Sequence, residues 1–67
     1  MLSARNQLKG TIKSVKLGTV MAEVILTVGG IEIVSVITRE SAERMQLKVG
    51  DSASAVVKST EVMISKG

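Results

Sequence analysis

With 67 residues and no cysteine, histidine or aromatic side chain, the chain has room for one small domain, residues 1–67. It lacks the usual braces of such a domain: disulfides are excluded, the common zinc and haem ligand sets are missing, and no large ring can fill a core. The net charge of +3, nine Lys/Arg against six Asp/Glu, is a mild pull toward anions, and no apolar run approaches the roughly 20 residues of a membrane span.

Yet 45% of the residues are hydrophobic. A core of this size hides only about 60% of the unfolded surface, so the apolar surplus points to association between subunits. No basic segment leads into an apolar stretch as in a signal peptide, and the default expectation is a soluble cytoplasmic protein.

Val, Ile and Thr set a strand composition along most of the chain. Residues 8–18, LKGTIKSVKLG, alternate with Leu8, Gly10, Ile12 and Ser14 on one face and Lys9, Thr11 and Lys13 on the other. The phase changes near Val15, as a β-bulge or strong bend would cause. Residues 20–28 place Val20, Ala22, Val24, Leu26 and Val28 on one face, and the other face is only partly polar. Gly29-Gly30 is a tight hairpin signal. Residues 31–37 are apolar on both faces, and such a strand is covered on both; the second cover is expected from another subunit.

Residues 38–47, TRESAERMQL, break the alternation. Thr38 suits an N-cap, Glu40 falls in the first turn, and Ala42, Met45 and Leu47 follow at helical spacing. Residues 48–51 predict a turn, and residues 52–60 and 61–65 two further strands. The order β-β-β-α-β-β predicts an all-β fold with one short helix, a five-stranded antiparallel barrel resembling the oligonucleotide/oligosaccharide-binding type.

No catalytic triad is possible without His or Cys, and the Gly29-Gly30 pair lacks the Lys-Ser/Thr of a phosphate loop. The chain does not read as an enzyme. Three polar clusters remain: Ser3, Arg5, Asn6 and Gln7 before the first strand; Thr38, Ser41 and Arg44 along one side of the helix; and Lys58, Ser59 and Thr60 between the last two strands. Caps and turns favour these residue types, so a solvated end, a cap and a turn account for them without a ligand. The alternative is that these N–H and O–H donors, with Arg5, Arg44, Lys58 and the N–H groups of the helix start near Thr38, converge on a small oxyanion.

The stretches SARNQLKGTI, ITRESAERMQLKVGD and VVKSTEVMIS, with VKLG between, resemble the molbindins, Mop-type proteins of the TOBE class, over essentially the whole chain. The resemblance implies strands shared between subunits and a homo-hexamer built as a trimer of dimers. It implies molybdate or tungstate held at subunit interfaces, with no metal directly coordinated by side chains, and a role in intracellular molybdenum storage. It places Ser3, Ala4 (through its backbone) and Arg5 in one ligand stretch and Lys58 and Ser59 in another, with Thr38, Ser41 and Arg44 at the helix positions of regulator-type relatives. Molybdate suits such a set, because it is a tetrahedral dianion offering only acceptors, and charge-assisted bonds from Arg and Lys are about twice as strong as neutral ones.

A nucleic-acid-binding barrel is the first rival, but those stack bases on aromatic rings and this chain has none. The second is a structural assembly domain whose polar clusters only cap and turn.

Overall fold

The computed structural model describes residues 6–67. Strand β1 (Asn6–Leu17) is followed by β2 (Met21–Val28), β3 (Ile31–Thr38), helix α1 (Arg39–Arg44), β4 (Ser52–Val57) and a 3-10 turn at Ser59–Glu61. All pairings are antiparallel, in the order β3-β2-β1-β4. The first half of the long β1 pairs with β4 and its second half with β2.

The phase change in β1 is a bulge. Ile12 stands opposite Leu26, and Ser14, not Lys13, stands opposite Ile25. The extra residue returns Val15 to the side of Ile12, opposite Val24, so one strand feeds one core on both sides of the bulge. That core is Ile12, Val24 and Leu26, with Val15, Ile37, Leu47, Ala53 and Ala55 packed against it. Gly10 allows the close crossing of β1 and β2: a Cβ there would lie 2.3 Å from the Thr27 carbonyl oxygen. Gly29 and Gly30 both have positive φ, 53° and 88°, as a two-residue hairpin turn of this handedness requires.

The helix is short, six residues closed by the expected cap Thr38 at one end and by a Schellman arrangement at the other. The Gln46 N–H donates to the Glu43 carbonyl and the Leu47 N–H to the Ala42 carbonyl. Gln46 holds φ 53°, where glycine is usual.

Of the expected five strands, the described residues of the single chain form four, in an antiparallel sheet that does not close into a barrel. The strand expected over residues 52–60 ends at Val57, and residues 61–65 form no strand. The 3-10 turn leads the chain off β4, and no sheet edge of its own chain receives residues 62–67. Met63 and Ile64 stay 92% and 89% exposed. Between β3 and β4 the core opens into an apolar cleft of about 250 Å³, lined by Ser35 and Ile37 on one side and Ala53–Val56 on the other. Among the described residues no helix is long and apolar enough to cross a membrane.

Candidate functional site

Thr38 ends β3 and caps α1, so it is held by two elements at once. Its Oγ1 accepts from the Ser41 backbone N–H at 3.1 Å and donates to Ser41 Oγ at 2.8 Å. Arg44, one turn on, places Nη2 3.5 Å from the same Oγ. The spacing of three residues brings the three side chains together, as expected. With Ser41 Oγ accepting from both neighbours, its own hydrogen is left to donate outward.

The backbone of the helix start offers less than expected, since the Arg39 N–H is taken by the Val20 carbonyl at 2.8 Å and the Ser41 N–H by Thr38. Arg39 stands outside the three polar clusters of the sequence. Its Nη1 donates to the Gly18 carbonyl at 3.2 Å and its Nε lies 3.6 Å from Glu43 Oε1. It clamps α1 onto the β1–β2 turn. The signal was present in the i,i+4 spacing of Arg39 and Glu43. The two arginines of the helix thereby differ: Arg39 has a carboxylate beside it, whereas Arg44 meets only a hydroxyl among the described residues.

Lys58 and Ser59 sit where β4 ends. The β1–β4 ladder closes with Asn6 opposite Val57, and Lys58 follows as the residue preceding the 3-10 turn, without a side-chain capping bond. Both are exposed, and Lys58 has no ion pair among the described residues. Ser3, Ala4 and Arg5 lie outside the described residues. The helix cluster stands at the Leu17 end of β1 and the Lys58–Ser59 pair at its Asn6 end. Among the described residues no hydrogen bond or ion pair joins the two. Neither group contains a carboxylate, and no group of three potential metal ligands from His, Cys, Asp and Glu occurs among the described residues.

A TOBE domain model matches residues 2–64, and the chain belongs to the TOBE domain family. It is 52% identical over 64 residues to molybdenum-pterin-binding protein 2 of Clostridium pasteurianum, covering 94% of each. Among solved structures, a molybdate-binding protein from Sporomusa ovata superimposes with TM-score 0.95 at 39% identity over 98% of both chains. ModG, described as a cytoplasmic molybdate-binding protein with molybdate bound, superimposes with TM-score 0.82 at 52% identity; the match covers 87% of this chain and 42% of that one.

Proposed function

We propose that this chain, as a single oxyanion-binding domain, takes up molybdate and tungstate and holds them in store at sites formed where copies meet in a homo-oligomer. The observation that carries this reading is a donor set without carboxylates, split between the two ends of β1. Thr38, Ser41 and Arg44 stand at one end, and Lys58 and Ser59 at the other. Arg5 is covalently joined to Asn6, and Val57, the partner of Asn6, to Lys58. By the family resemblance Ser3, Ala4 and Arg5 belong to the same donor set as Lys58 and Ser59.

Assembly has its own support. The described chain buries five hydrophobic residues, while Met63, Ile64 and many valines remain exposed. The cleft between the edge strands β3 and β4 is lined mostly by apolar side chains, and residues 61–65 of another copy are the occupant that fits their strand pattern. That closes the barrel with a shared fifth strand, and the hexamer, a trimer of dimers, follows from the family resemblance. Cytoplasmic residence fits a storage role and the description of ModG.

The relatives' names also mention a pterin. A pterin ring presents N–H donors along one edge and a flat face, and calls for a carboxylate and a stacking partner. The candidate residues supply no carboxylate, and the chain has no aromatic side chain, so they fit the bare oxyanion and not the heterocycle.

Equilibrium dialysis against molybdate, followed by metal analysis, tests the reading. Retained molybdenum in fixed ratio to chain is expected, and a protein that retains none ends it.

A further inference from the structure

A helix as short as α1 does not hold its own place. Isolated helices of this length are marginal in water, and Ala42 is the only buried residue of α1, so its apolar anchor is a single methyl group. What orients it is polar. The Arg39 backbone N–H donates to the Val20 carbonyl at 2.8 Å, and the Arg39 side chain donates to the Gly18 carbonyl at 3.2 Å. One residue thereby grips both ends of the turn at residues 18–20.

That turn is a firm support. The Gly18 N–H donates to the Met21 carbonyl at 2.8 Å, and a Cβ on Gly18 would stand only 2.9 Å from the same oxygen. The Gly18 carbonyl is therefore an acceptor fixed by its own turn. Glu43, one helical turn beyond Arg39, steadies the guanidinium from the helix side, with Oε1 3.6 Å from Nε. Successive helix residues are rotated by about 100°. Arg39 and Glu43 accordingly share one side of α1, and Ser41 and Arg44 lie on the opposite side. A grip on one side decides where the other side points. A roll of about 15° would move an atom about 4 Å from the helix axis by about 1 Å, enough to break a hydrogen bond.

We propose that Arg39 is a positioning residue for the oxyanion. It does not touch the anion. Its guanidinium, held between the Gly18 carbonyl and Glu43, fixes the roll of α1, and with it the direction of the Ser41 hydroxyl and the Arg44 side chain. The proposal rests on the reading of Thr38, Ser41 and Arg44 as anion donors.

Molybdate affinity of Arg39→Ala, Ser41→Ala and the double variant, measured by equilibrium dialysis on chains shown to be folded by circular dichroism, tests it. Arg39→Ala is expected to bind about tenfold more weakly, the low end for groups that orient a ligand's contacts. The double variant is expected to lose much less than the product of the two single losses, because with Ser41 gone less is left to position. A loss equal to the full product would mean that Arg39 acts through charge or stability alone, and overturns the proposal. Should Arg39→Ala fail to fold, Glu43→Ala at an exposed position decides. Weaker binding is expected although a negative charge is removed, and unchanged or tighter binding overturns the proposal. A wild type that retains molybdate while Arg39→Ala or Ser41→Ala keeps wild-type affinity ends this proposal alone and leaves the storage reading standing. A wild type that retains none ends both.

Discussion

Ser41 shows how little of an anion site one side chain reveals. Its hydroxyl is fixed by Thr38 and Arg44, and only its hydrogen remains for an outside acceptor. Lys58, by contrast, is a charge with no ion-pair partner among the described residues. Replacing Lys58 or Arg5 by Ala is expected to weaken molybdate binding roughly ten- to hundredfold in equilibrium dialysis, the loss of one charge-assisted bond to a dianion. Lys9 is exposed on β1 opposite Ser54, and Lys9→Ala is expected to leave affinity unchanged. Equal losses at Lys9 and Lys58 would show that overall charge, and not a site, holds the anion. The helix cluster was legible in the sequence because a period of 3.6 residues brings positions 38, 41 and 44 to one side. Nothing in the sequence relates Lys58 to Thr38, because the two lie at opposite ends of β1 and, under the proposed function, meet only through a second copy.

The elements were legible where a local rule decides them. The loss of phase at Val15 announced the bulge, and Gly29-Gly30 announced the hairpin. Local rules failed at residues 61–65, where a strand pattern pairs with neither free edge of the sheet, β3 or β4, in its own chain; β propensity expresses the neighbours a strand packs against. Two substitutions probe the element scale. Gln46 holds φ 53° at the helix end, a conformation that costs a side-chain-bearing residue about 1–2 kcal/mol. Part of that is offset by the backbone entropy that glycine loses on folding. Gln46→Gly is therefore expected to raise stability by about 0.5–1 kcal/mol, read as the denaturation midpoint at fixed protein concentration; a lower midpoint would mean that the Gln46 side chain holds a contact of its own. Gly10→Ala forces a methyl group to within 2.3 Å of the Thr27 carbonyl oxygen, and backbone cannot yield as a side chain can. A loss of about 2 kcal/mol or more is expected from the overpacking, and a neutral result would show that β1 and β2 separate freely at this crossing.

At the scale of the whole molecule, the proposed function makes assembly and binding one event, because the two ends of β1 bring different donors. Met63 and Ile64 are the most exposed of the large apolar residues, and truncation after Glu61 is expected to lower the sedimenting mass and abolish molybdate retention together. A truncated chain that still retains the anion would place the site within one copy. Selectivity follows from the chemistry of the assembled donors. Phosphate near pH 7 is partly protonated, since the second ionisation of a phosphate group lies at about 6 in esters and somewhat higher in the free anion. The protonated form carries an O–H that needs an acceptor. Neither Arg44 and Lys58 nor the N-terminal Arg5 can accept, and Ser3, Thr38, Ser41 and Ser59 accept only by turning their own hydrogens away from the anion. Sulfate is a dianion without a proton and passes that test. It is smaller than molybdate, however, and cannot reach all donors at once, and each buried donor left unmet costs about 1–3 kcal/mol. The expected order at neutral pH is molybdate and tungstate first, then sulfate, then phosphate. Competition titrations against bound molybdate decide it: phosphate displacing molybdate at equal concentration would show that an acceptor lines the site, and a pocket made of donors alone would be the wrong description.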